Sequence, residues 1–594
     1  MRLRDTTICS VCVILTAALL VISGMQLDYI NSQREKMKLI SNKPLENAPP
    51  SLAFATVAMG AFRGLVVDIL WMRADQLKDQ GQFFDAKQLA EWITTLQPRF
   101  AAVWDFHSWN MAYNISVAIP ATQPEERWRW VKNGYELLRD KGIPLNPKSI
   151  VLYRQLALIF QHKIGGVTDD AQKYYKLQLA GAMEPLLKSS EPQTTNSYFE
   201  ALAKAPTDWR QIENDANVSP LIKALKAADK RFDDDKNFVS NYLSLRQNPD
   251  RFKPAAFQVI DDFRGTEALG EFDIFAKSYQ LRKVWKLDPI LMQKLNKLYG
   301  PINWKDPNTH LPLDWRHPDS HAIYWAVKGL QMAGKEKFSI DEVNTDRIVV
   351  HSLQNLFRGG KIFIYYPPAR AQRTSDSFSQ PQQKPASDRP EVFFRPDLRM
   401  FEPYNQAILK VIEKYQDPNQ DEYTSHQIGH RNMLKNAVLD FYQVGHSPQA
   451  QKIYNQLRQL YPQEEFKVPL PIFARNYLIE QFNSLHVINA GEIVQTLLRQ
   501  SYFLYAIRDD DGAFGTENLA TEVYNRYYSM YKKQIRWDLP EFPLLRYFAL
   551  VDFLKDEQYS LDLRRTLLNR IRIERPDLAA KLKQQQEEIF KKPK

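Results

Sequence analysis

Two stretches of the chain decide its fold: residues 74–98, ADQLKDQGQFFDAKQLAEWITTLQP, and residues 438–462, VLDFYQVGHSPQAQKIYNQLRQLYP. Each is built around one glycine, Gly81 in the first and Gly445 in the second, with small, large and helix-breaking residues at matching distances from it. The matching pairs are Ala74 and Val438, Leu77 and Phe441, Ala86 and Ala450, Ala90 and Tyr454, Ile93 and Leu457, Leu96 and Leu460, and Pro98 and Pro462. A template that recurs more than 350 residues away indicates an internal repeat.

This template predicts a pair of short antiparallel helices. Apolar residues at intervals of three and four form one buried stripe on each helix, and small residues let two helix backbones approach closely. Gly81 and Gly445 fall at the turn, where glycine readily adopts a positive φ. Pro98 and Pro462 end the second helix, because proline cannot continue its hydrogen bonding.

The template resembles the tetratricopeptide repeat (TPR), a helix–turn–helix unit of about 34 residues. The resemblance covers residues 67–100 and 431–464, and it continues more loosely over 101–114, where Trp104 and Ser108 stand at the motif's aromatic and small positions. Weaker echoes are Tyr153, Ala157 and Phe160, and Trp325, Gly329 and Met332.

The resemblance implies an all-α fold, a TPR-like helical-hairpin solenoid with an irregular helical middle block and one N-terminal transmembrane helix. The block from Phe62 to about Gly166 is also similar to membrane-anchored bacterial TPR proteins of unassigned activity. One short strand is expected at Lys361–Tyr366, where β-prone residues precede two prolines. We divide the chain into an anchor and linker (1–50), an N-terminal TPR-like block (51–190), the middle block (191–370), a disordered loop (371–390) and a C-terminal TPR-like block with a basic tail (391–594).

The N-terminal run Thr6–Leu27 predicts a membrane anchor. It has 22 residues without a charge, about the length that spans a bilayer as a helix. Two arginines precede it and Asp28 follows, which favours an N-terminus in the cytoplasm and the bulk of the chain outside, although four basic residues further on weaken that signal. A cleavable signal peptide, with Val21 and Ser23 at the cleavage positions, and a buried soluble helix are the alternatives.

Composition and motifs give no positive support to an enzyme. Walker A, GxGxxG, GxSxG and HExxH sequences are absent from the chain. Cys9 and Cys12 both fall in the apolar N-terminal run, so disulfides and cysteine-based zinc sites are excluded from the rest. The net charge of +10 is mild, and without a nucleic-acid module it does not argue for DNA or RNA. We therefore expect no catalytic residue, no cofactor and no nucleic-acid partner.

Two histidine pairs have the spacing that can hold a metal ion on one helix face, His317 with His321 and His426 with His430. The first pair, with His310 close by in sequence, supports an alternative function, a metal-supported hydrolase with a site near His310–His321. The competing interpretation is packing. Pro318 is typical of the first turn of a helix, and the histidines around it would then be ordinary packed or surface side chains. We adopt the second interpretation and expect no metal.

Candidate binding residues follow from the resemblance, because the first helices of successive TPR units line a concave groove. The groove positions are Asp68, Trp71, Met72, Asp75 and Asp79 in the first unit, Asp105, Phe106, Trp109 and Tyr113 in the second, and Asn432, Lys435, Asn436, Leu439 and Tyr442 in the distal one. Amide and aromatic side chains there can hold an extended peptide. The competing interpretation is that Trp71, Trp104 and Trp109 fill the core between helices.

The function expected from these features is that of a membrane-anchored, extracytoplasmic scaffold. It would bind a protein or peptide partner through a TPR-like groove, at the periplasmic side of a bacterial cytoplasmic membrane. The alternatives are the metal-supported hydrolase and a purely structural subunit of an envelope or secretion complex.

Overall fold

The computed structural model describes residues 15–16, 29, 62–187, 196–333, 339–365, 391–415, 421–483, 487–531, 539–557 and 559–590. The chain divides into two compact units, residues 1–73 with 95–97 and residues 74–94 with 98–594. Within the described ranges no helix is both long and apolar enough to cross a membrane. Apart from Leu15 and Thr16, the predicted anchor Thr6–Leu27 lies outside these ranges, as does the predicted loop 371–390.

Helices follow one another over the first part of the described chain. They are α1 (Phe62–Asp79), α2 (Phe83–Leu96), α3 (Ala101–Trp109), α4 (Ser116–Ala118), α5 (Pro124–Leu137), α6 (Ile143–Leu145), α7 (Ile150–Leu158) and α8 (Gln172–Met183), with π-helical turns at Asn110–Ile115, Leu138–Gly142 and Ile159–Ile164. Gly134 in α5 lies so close to α3 that a Cβ atom there would stand 2.9 Å from the carbonyl oxygen of Ser108. The small residue predicted at Ser108 therefore lies where two helices pack closely, as the looser repeat requires.

The middle of the chain is helical but irregular, as predicted. Its helices are α9 (Asn196–Lys204), α10 (Trp209–Glu213), α11 (Ser219–Ala228), α12 (Asp235–Gln247), α13 (Pro254–Asp262), α14 (Glu267–Gln280), α15 (Pro289–Tyr299), α16 (Pro318–Ala333) and α17 (Ile340–Gly359), with a π-helical turn at Leu281–Trp285. Gly329 in α16 faces Tyr153 in α7, and a Cβ at Gly329 would lie 2.6 Å from the Cβ of Tyr153. The two weaker echoes of the template thus lie on helices that pack against each other across the predicted boundary at residue 190, and the division into blocks stays a prediction.

A small antiparallel sheet follows α17. The predicted strand is present as β1 (Lys361–Tyr365), and it pairs with β2 (Glu391–Arg395), which the sequence analysis did not predict. The register places Lys361 opposite Arg395 and Tyr365 opposite Glu391.

Longer helices form the C-terminal part of the described chain. They are α18 (Phe401–Lys414), α19 (Asp421–Gln443), α20 (Ser447–Leu460), α21 (Leu470–Asn483), α22 (Val487–Ala506), α23 (Asp510–Tyr531), α24 (Phe542–Lys555), α25 (Leu561–Glu574) and α26 (Pro576–Phe590). Helix α19 packs against four other helices, α18, α20, α21 and α22.

The two template glycines occupy the same kind of turn. Gly81 lies between α1 and α2 with φ +75°, and Gly445 lies between α19 and α20 with φ +83°. In each turn the glycine N–H donates to the carbonyl three residues back, at 2.9 Å for Gly81 and 3.1 Å for Gly445. The next N–H donates five residues back, at 2.8 Å and 2.9 Å respectively. This pair of bonds is the Schellman motif that ends a helix, so the predicted position of both glycines is confirmed.

A third hairpin has the same turn without a glycine. Arg508, between α22 and α23, has φ +69°, and the N–H groups of Arg508 and Asp509 make the same two hydrogen bonds, at 3.2 and 2.9 Å. The small positions of the template are occupied by Ser501 and Ala513, and the Ser501 hydroxyl donates to the Ala513 carbonyl oxygen at 2.8 Å. The turn and the two small positions of the template therefore recur at α22 and α23, where they were not predicted, but Asn525 stands at the proline position and α23 continues to Tyr531.

Candidate partner-binding cleft

One face of α19 lines a cleft. The residues of α19 on this face recur at intervals of three and four, and they are Asn432, Lys435, Asn436, Leu439, Asp440 and Gln443. The other walls come from Arg358 at the end of α17, Tyr477 and Glu480 on α21, and Glu492 and Ile493 on α22. The cleft has a volume of about 320 Å³, which is within the size range of small-ligand and side-chain pockets.

Helix α21 contacts α19 across the cleft through Tyr477 and through an ion pair. The Tyr477 hydroxyl donates a hydrogen bond of 2.7 Å to the Asn436 side-chain oxygen. The Lys435 ammonium lies 4.5 Å from the centre of the Tyr477 ring. It also pairs with Glu465 at 3.2 Å and with Glu480 at 3.9 Å, so its charge is neutralised within the protein.

The cleft contains two further carboxyl groups and a second cation, Asp440 on α19, Glu492 on α22 and Arg358 on α17. Arg358 pairs with the Glu492 oxygen Oε2, through Nη2 at 2.7 Å and Nε at 2.8 Å, and the Glu492 charge raises the pKa of Arg358. Asp440 is 9% exposed, and no residue with a described position gives its carboxylate a hydrogen bond or an ion pair within 4 Å. Burial raises the pKa of Asp440 well above its usual value, the charge of Glu492 raises it further, and the charge of Arg358 lowers it.

A second buried group in the cleft lacks a partner. Gln443 follows Asp440 by three residues on the same face of α19 and is 3% exposed. Within the described part of the chain, its side-chain nitrogen Nε2 has no hydrogen-bond acceptor. Buried polar groups in proteins are rarely left unpaired, and such an exception needs an explanation.

The structure brings part of the predicted distal groove together. Asn432 and Asn436 both line the cleft, with Lys435 and Leu439, whereas Tyr442 is half-buried and is not among the lining residues. Sequence analysis missed Asp440 and Gln443 on the same helix face. Their spacing from Asn432 and Asn436 was a usable signal, because residues at intervals of three and four share one face of a helix.

The second predicted unit forms an aromatic stack. Trp109 and Tyr113 stack with ring centres 4.0 Å apart, and Tyr113 stacks in turn on His162 at 5.8 Å. Trp109 stays 40% exposed, whereas Trp104 is buried and donates its indole N–H to the Pro98 carbonyl oxygen at 2.9 Å. The packing interpretation therefore holds for Trp104, and a role of Trp109 in binding stays a prediction.

The remaining predicted residues near the N-terminus are distributed over several environments. Burial raises the pKa of Asp105 to about 6, and the Phe106 ring lies 5.6 Å from the Lys78 ammonium. On α1, Asp68, Met72, Asp75 and Asp79 are exposed and Trp71 is half-buried. The Asp75 carboxylate pairs with Lys78 at 2.7 Å. Their predicted contact with a partner stays a prediction.

The histidine pairs are packed side chains. His317 and His321 are buried, and burial lowers the pKa of His317 to about 3 and that of His321 to about 4. The His321 nitrogen Nε2 bonds to the Trp315 carbonyl oxygen at 2.9 Å, and the His310 nitrogen Nδ1 bonds to that of Gly300 at 2.8 Å.

The second pair is held in the same way. The His430 ring lies between the Tyr461 hydroxyl and the Asn405 side-chain oxygen, both at 2.8 Å, and the His426 ring stacks on Tyr415. In the part of the chain with described positions, no three histidine, cysteine or acidic side chains are grouped as metal ligands. The arrangement offers no observation in favour of the metal-supported hydrolase.

The fold and cleft define a class of protein, a predominantly helical protein in which pairs of helices are joined by Schellman turns. No protein-family model matches the chain, and no curated protein matches it. Among solved structures, one match is described as the structure of Naa15/Naa10 bound to HypK-THB. That match is 11% identical, covers 87% of this chain and 99% of the other, and has a TM-score of 0.13. At this TM-score the match has no bearing on the fold or function of the chain, and the class rests on the helices and turns themselves.

Proposed function

We propose that this protein is a membrane-anchored scaffold outside the cytoplasm that binds a protein or peptide partner in the cleft along α19. The observation that supports the proposal best is the position of Asn432 and Asn436. Both were assigned to a groove from the repeat template, and both line the cleft. Helix α19 is the first helix of its hairpin, the one that faces the groove in TPR proteins.

The lining of the cleft suits a segment of polypeptide. Asn432 and Asn436 offer amide groups that can pair with a peptide backbone, and Tyr477 offers an aromatic surface with its hydroxyl group fixed by Asn436. A volume of about 320 Å³ holds a few side chains and not a folded domain. Affinity in such a site comes from a small number of enclosed contacts.

The membrane part of the proposal rests on the sequence of Thr6–Leu27, a long uncharged run preceded by arginines and followed by Asp28. An extracytoplasmic position predicts that a protease added to spheroplasts, which are cells stripped of their outer layers, degrades the bulk of the chain. Protection of the full-length chain in intact spheroplasts, with degradation only after lysis, would contradict an extracytoplasmic position.

The cleft is tested by capture of partners with the full chain from a detergent extract of its own cells. The test variant is Asn432→Trp, which places a large side chain at the exposed rim of the cleft. The matched control is Ile428→Trp, one turn away on α19 at a 45% exposed position that does not line the cleft. We expect the wild type and the control to capture the same partner, and the Asn432→Trp variant to lose it by about tenfold or more.

Two results would contradict the proposal. Equal capture of a substoichiometric, transient partner by all three proteins would place its site elsewhere on the chain, and equal capture of a stoichiometric partner would favour the structural-subunit alternative. Equal loss in both variants would show that the effect comes from damage to α19 and not from the cleft.

A further inference from the structure

The cleft contains a buried carboxyl group for which the described residues provide neither a hydrogen bond nor an ion pair. Arg358 is engaged by Glu492, and Lys435 is engaged by Glu465 and Glu480. This leaves Asp440, which is nine-tenths buried and receives neither a hydrogen bond nor an ion pair from any residue of the described ranges. A buried carboxylate without a counterion is costly in free energy, so proteins normally pair it.

Gln443 supplies an independent indication from the same face of the helix. Its Nε2 atom is a hydrogen-bond donor, buried without an acceptor in the described part of the protein. Residues three apart on a helix have side chains about 5–6 Å from each other. A ligand that met both groups would therefore present a donor and, a few ångströms away, an acceptor.

A cation attached to a polypeptide has this combination. An ammonium or guanidinium group donates several hydrogen bonds and carries a positive charge that can pair with the Asp440 carboxylate. A nearby main-chain carbonyl accepts one hydrogen bond. An anionic group would face Asp440, Glu492 and Glu480, and the cations Arg358 and Lys435 are already paired with carboxylates of the protein.

Building on the proposed function, we propose that the cleft recognises a positively charged nitrogen of the partner polypeptide, with Asp440 as its counterion and the Gln443 amide donating to an adjacent carbonyl of the same chain. The cation is either a lysine or arginine side chain or a free N-terminal amine. Pairing with the cation favours the ionised form of Asp440, which has no ion-pair partner in the protein alone, and this makes recognition selective for charge.

The probe that tests this inference is an array of random-sequence peptides, printed with free and with acetylated N-termini and incubated with the purified full chain. Peptides that bind are resynthesised with norleucine in place of each lysine and each arginine, and their affinities are measured by calorimetry. Loss on norleucine substitution identifies a side-chain cation, and loss on acetylation identifies the N-terminal amine.

The decisive variant is Asp440→Asn, which keeps the shape of the side chain and removes its charge. We expect it to weaken binding by about thirtyfold or more, the usual effect of removing one partner of an enclosed charge pair. The matched control is Glu413→Gln, which removes the same charge from an exposed position on α18 and should leave the affinity unchanged. Thermal unfolding of both variants confirms that they are folded.

The outcomes separate this inference from the function on which it rests. Peptides that lose affinity with Asn432→Trp but bind the Asp440→Asn variant as well as the wild type would overturn the cation inference and leave the cleft as a peptide site. An array on which no peptide responds to Asn432→Trp would overturn both. Selective loss with Asp440→Asn, together with dependence on one kind of cation, supports both.

Discussion

Among single residues, Asp440 is the one on which the proposed recognition in the cleft depends most. Its carboxyl group lines the same cleft as Glu492, whose charge raises its pKa, and the Arg358 guanidinium is bonded to Glu492. Two acids close together in a buried site cannot both ionise without a large electrostatic cost, so one of them retains its proton to a higher pH. The burial of Asp440 makes it the group that retains the proton.

This environment makes the stability of the free protein depend on pH. Because the folded-state pKa of Asp440 is raised, its protonation stabilises the fold fully below the unfolded-state pKa near 4, and that contribution is lost as the pH rises through the folded-state value. Asp440→Asn should therefore be more stable than the wild type at the alkaline end, by about 1 kcal/mol or more, with a smaller difference in acid.

The measurement is urea unfolding of both proteins over a series of pH values. Asp319 is another buried acid, with its pKa raised to about 7, so the wild-type curve alone does not isolate Asp440 and the difference between the two proteins is the relevant quantity. A constant difference at every pH would show that Asp440 has no raised pKa.

The sequence made part of this site predictable. Asn432 and Asn436 could be assigned because the repeat template fixes which face of α19 is the groove. Arg358 and Glu492 could not, because they lie on helices remote in sequence, and only the tertiary packing brings them to α19. Whether Asp440 and Gln443 find hydrogen-bond partners depends on every residue that packs around them. A local sequence pattern therefore cannot predict that they are unpaired.

At the scale of elements, the turns between paired helices depend on one residue with a positive φ. Gly81 and Gly445 are recognisable in the sequence because glycine tolerates this conformation better than other residues. Arg508 adopts it too, with φ +69°, and for that reason the hairpin of α22 and α23 was not found. Strand β2 was missed because a strand signal of five residues is weak and its partner lies some 25 residues upstream.

The two glycine turns differ in their surroundings, which gives a matched pair of substitutions. Gly81→Ala meets no other atom within 4 Å, so it should cost only the backbone penalty of about 1 kcal/mol. Gly445→Ala places its Cβ 2.6 Å from the Phe503 ring, so steric overlap adds to that penalty for a total of about 3 kcal/mol.

Urea unfolding of the two alanine variants, followed by circular dichroism, measures the difference. The Gly445→Ala variant should unfold at the lower urea concentration. Equal midpoints, or a larger loss for Gly81→Ala, would show that the turn at Gly445 does not lie against Phe503 of α22.

At the scale of the whole molecule, the all-α class and the hairpin unit followed from the sequence, whereas the arrangement of the middle block did not. Tyr153 and Gly329 each looked like part of a further repeat, yet they pack against each other from α7 and α16. Small and aromatic residues at helical spacing mark close helix packing of any kind, and they do not say which helices meet. The function proposed here therefore rests on the α19 hairpin, where template, turn and cleft agree.

Site-specific photocrosslinking in living cells tests that function most directly. A photoreactive amino acid is placed at Asn432 of the full chain in one strain and at Ile428 in another, so that the two probes lie one turn apart on α19. The proposal predicts a discrete crosslinked protein from position 432 that is absent from position 428 and reduced by Asp440→Asn. No adduct from position 432, or the same adduct from both positions, would contradict a partner bound in the cleft.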